Sequence, residues 1–143
     1  MLSWIYGNAE YELPPGADHK TIQGFVYLIT NTNNGKKYVG KKFFWSSKQK
    51  QVKGKKKKFK VESDWKTYCG SSETLRMAIK TDGIENFKRE ILHICLSKAE
   101  CSFYESHEIF ARGALLKPEE YMNEWISCKI RRAHLSRIIK ENT

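Results

Sequence analysis

The chain is 143 residues long, enough for one domain with a real core, and its 13% aromatic content excludes a disordered polymer. No apolar run approaches the ~20 residues of a membrane span. Lys and Arg number 26 against 16 Asp and Glu, but residues 41–60 alone hold ten lysines and no acid, so the entire +10 excess is one local patch suited to a polyanion partner.

In chain order, residues 1–23 read as an arm. Pro14-Pro15-Gly16 breaks any regular element, and Trp4 and Tyr6 are positioned to anchor the arm on the core. The first residues lack the basic start and apolar stretch of a signal peptide. Cys69, Cys95, Cys101 and Cys128 are too dispersed for a zinc site. Both features fit a cytoplasmic protein with reduced thiols.

Residues 24–41 form a predicted β-hairpin. Its flanking runs are β-branched and aromatic, and Asn33-Asn34-Gly35 supplies the tight turn. Tyr27 and Tyr38 stand one on each strand, near Gly40, whose missing side chain lets a phosphate approach the backbone. Lys41-Lys42-Phe43-Phe44-Trp45 follows, its aromatics assigned to the core in preference to base stacking. Residues 46–63 repel themselves and lack a core pattern, which reads as a mobile loop or a ribbon ordered on its partner. Its lysines, Lys48, Lys50, Lys53, Lys55, Lys56, Lys57, Lys58 and Lys60, are candidates for gripping nucleic-acid phosphates without reading sequence.

Ser71-Ser72-Glu73 caps a predicted helix to about residue 82, with Leu75, Ala78 and Ile79 as its buried stripe and Gly83 as its stop. A strand over 87–95 comes next. Ser97 and Glu100 then form a capping box that opens a helix to about residue 112, ended by Gly113. With ~100° per residue, Ala99, Phe103 and Phe110 cluster as its core side; Glu105 falls at the edge of the apolar arc, Glu108 further towards water, and His107 towards the core. That geometry fits a solvated edge glutamate as well as a functional one. Residues 115–124 are a connector containing Pro118. From residue 125 a basic helix is expected, carrying Lys129, Arg131, Arg132, Arg137 and Lys140 around Ile126, Ile130 and Ile138. The order gives an α+β fold: a small, mainly antiparallel three-stranded sheet flanked by helices.

Phe25-Val26-Tyr27 and Tyr38-Val39-Gly40, at this spacing, resemble the paired motifs of the GIY-YIG nuclease family. Ala99-Glu100-Cys101-Ser102-Phe103-Tyr104-Glu105 resembles the segment carrying that family's metal-binding glutamate, and Tyr121-Met122-Asn123 its downstream asparagine. Tyr68-Cys69-Gly70-Ser71-Ser72 and the run from Gly83 to Leu92 look like the phage-borne, homing-type branch. The resemblance spans residues 24–127, with the basic loop 41–63 inserted and 128–143 as a C-terminal helix. It implies a divalent-metal endonuclease or nickase acting on double-stranded DNA, with Mg²⁺ or Mn²⁺ at Glu105. Tyr27 would orient or deprotonate the attacking water, Tyr38 would hydrogen-bond the phosphate or the metal-bound water, and Asn123 would complete the site. The family's arginine after the second motif is missing; Lys41, Lys42, Lys48 or Arg76 would supply that cation, and a lysine offers a point charge rather than a fork. A double-strand break by a one-site domain requires a dimer or two successive nicks. The alternative is a nucleic-acid-binding module that keeps the fold without cutting.

Overall fold

A computed structural model describes residues 3–142. Ten named elements occur in chain order: β1 (Trp4–Tyr6), β2 (Ala9–Glu10), β3 (Gly24–Asn31), β4 (Lys37–Phe43), β5 (Trp45–Val52), β6 (Lys55–Glu62), α1 (Glu73–Asp82), β7 (Phe87–Cys95), α2 (Lys98–Ala111) and α3 (Ser136–Glu141). The fold is α+β, with five strands in the main sheet, ordered β2-β1-β7-β3-β4. Two of them come from the arm. β1 runs parallel to β7, pairing Trp4 with Arg89, while the β3–β4 and β3–β7 pairs are antiparallel. Trp4 anchors the arm as expected, buried with its Nε1 donating to the Trp65 carbonyl at 2.7 Å, whereas Tyr6 stays exposed.

The β3–β4 turn follows its residues. Asn31 Oδ1 accepts from the Asn33 amide, Asn34 Oδ1 accepts from the Lys36 amide, and Gly35 sits at φ +77°. Alternation along β3 then serves two cores. Phe25, Tyr27 and Ile29 face α1 and its buried Leu75, joined by Trp4, Phe44 and Trp65. Val26, Leu28 and Val39 face α2 through Cys101 and Ile109.

Three expectations are corrected. The lysine-rich segment is a regular ribbon, β5–β6, forming its own two-stranded sheet. Lys53 and Gly54 close it with φ +50° and +76°, both positive as a two-residue hairpin turn requires. Secondly, α2 is rotated. Its buried face is Cys101, Ser106 and Ile109 with Glu105 between them, while Phe110 is 71% exposed and His107 is exposed. Phe103 lines a groove with Ile130 and Leu135 of the C-terminal segment instead of the sheet. Thirdly, the helix expected from residue 125 is confined to a 3-10 turn at Arg132–Leu135 and α3. The chain before it is spent on the sheet edge: the Lys37 amide donates to Glu120 O at 2.8 Å and the Met122 amide to Lys37 O at 2.7 Å. Arg137 of α3 grips the buried Glu100 carboxylate, so Glu100 fastens the C-terminus as well as lying in the first turn of α2.

Candidate active site

β4 is the open edge of the main sheet, and the site wraps around that edge at Gly40. A side chain at position 40 would put its Cβ 2.3 Å from Tyr27 Oη, so the phenol of Tyr27 crosses the space that glycine leaves. Tyr38 lies beside it, ring centroids 6.3 Å apart. From the opposite face of the sheet, α2 brings Glu105, and Lys41 of β4 donates from Nζ to Ser102 Oγ of the same helix at 2.7 Å. These groups open into one cleft of about 540 Å³, together with Asn123, Trp125 and the N-terminal turn of α1. That turn, capped by Ser72 Oγ accepting from the Leu75 amide, presents backbone N–H groups and a dipole that favour an anion.

Of the residues singled out in the sequence, the cleft gathers Tyr27, Tyr38, Gly40, Lys41, Glu105 and Asn123. Lys42 is not among them. β-alternation turns it to the other face, where it pairs with Asp64 at 2.7 Å and stands 4.1 Å from the Tyr68 ring centroid. Arg76 is exposed on α1 and does not line the cleft. Lys48 lies on the ribbon, so Lys41 is the cation the fold places at the site. Asn123 spends both ends of its amide on β4: Oδ1 accepts from the Val39 amide at 2.9 Å and Nδ2 donates to the Val39 carbonyl at 2.8 Å. It completes the sheet edge beneath the cleft. Glu108 is bound to Arg112 and His93, each at 2.8 Å, and its pKa ends below the ordinary carboxylate value although burial pushes the other way.

Two partners escaped sequence reasoning. Burial first, and then the neighbouring phenol of Tyr68, raise the Tyr27 pKa well above the ordinary tyrosine value. The Tyr68 ring packs edge-on against Tyr27, centroids 6.1 Å apart, and Ser71 lines the cleft with Tyr38. Both lie in the Tyr68-Cys69-Gly70-Ser71-Ser72 string, which marked their presence but not their task. Burial raises the Tyr38 pKa as well, followed by the Glu105 charge. Glu105 is itself raised, chiefly by burial, with Lys41 pulling the other way. It has no hydrogen-bond or ion-pair partner among the described residues. The cleft therefore holds two protonated phenols, one lysine and the unpartnered, largely buried Glu105 carboxyl; Glu73 and Glu124 also line it, the latter accepting from Thr74 Oγ1 at 2.8 Å.

The cleft thus gathers two phenols, a lysine and acidic side chains at one edge of a small α+β sheet. The family model for "Putative endonuclease segE, GIY-YIG domain" matches residues 4–126, and the chain belongs to that family. It is 34% identical over 97 residues to "Putative endonuclease segD" of Enterobacteria phage T4, covering 68% of this chain and 32% of that protein. It is likewise 34% identical over 99 residues to "Putative endonuclease segE" of the same phage, covering 69% of this chain and 39% of that one. The chain thus spans about a third of the length of these relatives. No solved structure matches it.

Proposed function

We propose that the chain is a divalent-metal-dependent endonuclease or nickase that hydrolyses phosphodiester bonds of double-stranded DNA, of the phage homing type. The observation that carries this is the free Glu105 carboxyl, held on a rigid helix in the same cleft as Tyr27, Tyr38 and Lys41. Membership of a family described as endonucleases supports it.

The residues fit Mg²⁺ or Mn²⁺. No group of three or more His, Cys, Asp or Glu is placed to hold a metal among the described residues. Mg²⁺ does not need one: it keeps much of its water and takes one or two carboxylates plus substrate phosphate. Glu105 would hold the ion, which would supply Lewis-acid neutralisation of phosphate charge and favour a hydroxide nucleophile.

The protein's own groups do the rest. Lys41, fixed by Ser102, faces the phosphate and stabilises charge that builds on its oxygens. Tyr38 donates to a phosphate oxygen. Tyr27, buried and held protonated, donates too and orients the attacking water; in the free protein it is not a base. The N-terminal turn of α1 adds backbone donors, and the ribbon lysines together with the exposed Arg131 and Arg132 hold flanking phosphates.

Supercoiled plasmid tests this. The native protein should nick it with Mg²⁺ or Mn²⁺ and not in EDTA, and Glu105→Ala should bind the same plasmid without nicking it. Binding without cleavage by the native protein, under any divalent ion, would leave only the non-catalytic module.

A further inference from the structure

We infer that the β5–β6 ribbon is a sequence-reading arm that enters the major groove of duplex DNA. This rests on the proposed DNA-cutting function and adds to it a source of site preference.

The ribbon has no apolar face of its own to bury. Ser46–Gln51 and Lys53–Lys60 are exposed, Phe59 included. Two-stranded hairpins are marginal in water even without eight lysines repelling one another. A partner that neutralises the charge is what such a structure suits, and the phosphate walls of a DNA groove provide one.

The pairing register sorts its side chains. Ser47 opposes Lys60, Gln49 opposes Lys58 and Gln51 opposes Lys56, so these six share one face. Lys60 Nζ donates to Ser47 Oγ at 2.7 Å across that face. The other face holds Lys48 opposite Phe59, Lys50 opposite Lys57 and Val52 opposite Lys55. One strand therefore lays down an uncharged row, Ser47, Gln49 and Gln51, beside a row of lysines. A glutamine amide offers donor and acceptor together and pairs in two places with adenine N6 and N7; serine accepts or donates to several base edges. Side chains two apart on a strand are about 6.7 Å apart, roughly two base steps of duplex. Of the lysines beside them, Lys60 is engaged by Ser47, and Lys56 and Lys58 are exposed and can reach phosphate.

Groove dimensions decide which groove. Strands in a ribbon lie about 4.8 Å apart before side chains are added. A major groove about 12 Å wide admits them, and a minor groove about 6 Å wide does not. The ribbon's base is also fixed relative to the cleft. Trp45 Nε1 donates to the Ile22 carbonyl at 2.7 Å, Ser63 Oγ to the Phe43 carbonyl at 2.7 Å, and Trp65 Nε1 to Glu62 Oε1 at 2.8 Å. Buried Phe44 joins β4 directly to β5. A base contact made by the ribbon therefore sets where the cleft meets the backbone.

The test uses the full chain with Glu105→Ala, so that binding is read without cutting. Selection from a random duplex library should enrich a motif containing adenine, and adding Gln49→Ala with Gln51→Ala should abolish that enrichment. The salt slope of binding, set by the lysines, should not change. Replacing adenine by 7-deazaadenine in the enriched duplex should weaken binding about tenfold. The inference is overturned if no motif is enriched, if the same motif survives loss of both glutamines, or if it tolerates 7-deazaadenine. Because cleavage is absent throughout, a failure here is separate from a failure to nick plasmid.

Discussion

The cleft and the ribbon lie on one continuous path, since β4 carries Gly40 and Lys41 and passes through Phe44 into β5, yet they are built on opposite physics. In the cleft the groups around the unpartnered Glu105 are held by fixed neighbours: Tyr27 is 1% exposed, Lys41 is tied to Ser102, and Asn123 is spent on Val39. In the ribbon the charges stand in solvent, and the lysines share their work. Single atoms should therefore matter in the cleft, and totals of charge in the ribbon.

The largest effects separate the two regions by kind. Lys41→Ala should lower the single-turnover nicking rate about 100-fold while leaving the salt slope of binding nearly intact. Changing Lys55, Lys56, Lys57 and Lys58 together to Gln should weaken DNA binding by a similar factor near 0.15 M salt and flatten the plot of log affinity against log salt by about four units, with the rate at saturation unchanged. If both variants gave the same signature, the distinction between the regions would fail.

A smaller effect sharpens the steric side. Gly40→Ala places a methyl against Tyr27 Oη and should cost about 1–3 kcal/mol in denaturant unfolding, with nicking lost as the phenol is displaced. The same exchange at Gly54, where nothing lies within 4 Å of the added carbon, meets only the cost of its positive φ. Asn123→Ala strips partners from the Val39 amide and carbonyl and should also cost about 1–3 kcal/mol.

The smallest expected change runs upward. Burial holds the Glu105 pKa above its unfolded value, so the folded protein binds more protons in the interval between the two, and stability falls as pH rises through it. The cost is absent below the ordinary glutamate pKa and complete above the raised one. In EDTA, Glu105→Gln should thus be more stable than the native chain by about 1 kcal/mol at pH 7, with the gain vanishing in acid. A destabilised variant at pH 7 would mean that the carboxylate has partners in the fold.

Much of this was legible in the sequence, for local reasons. The β3–β4 hairpin follows from its turn residues, and both major helices from Ser72, Ser97 and the glycines beyond their ends. The rotation of α2 was not legible, because Phe103 and Phe110 outweigh Cys101 and Ile109 in any apolar count, and only the C-terminal segment crossing the aromatic side reveals which face meets the sheet. Tertiary placement, not periodicity, moved Glu105 from the edge of the arc to its centre. The strands of the arm were missed because they are short, three and two residues, and because β1 is docked by β7 more than eighty positions away. The ribbon was hidden by its charge, although Lys53-Gly54 is a turn signal within it. The divergence of Lys41 from Lys42 needed only the strand's period of two.

On this reading α2 and the β3–β4 hairpin present their groups to one bound ion and one phosphate. Mn²⁺ titration of the isotopically labelled protein tests it by paramagnetic broadening. The ring resonances of Tyr27 and Tyr38 should broaden first, together with those around Glu105, and should stay sharp in Glu105→Gln. Broadening that begins at other carboxylates while both rings remain sharp would contradict it.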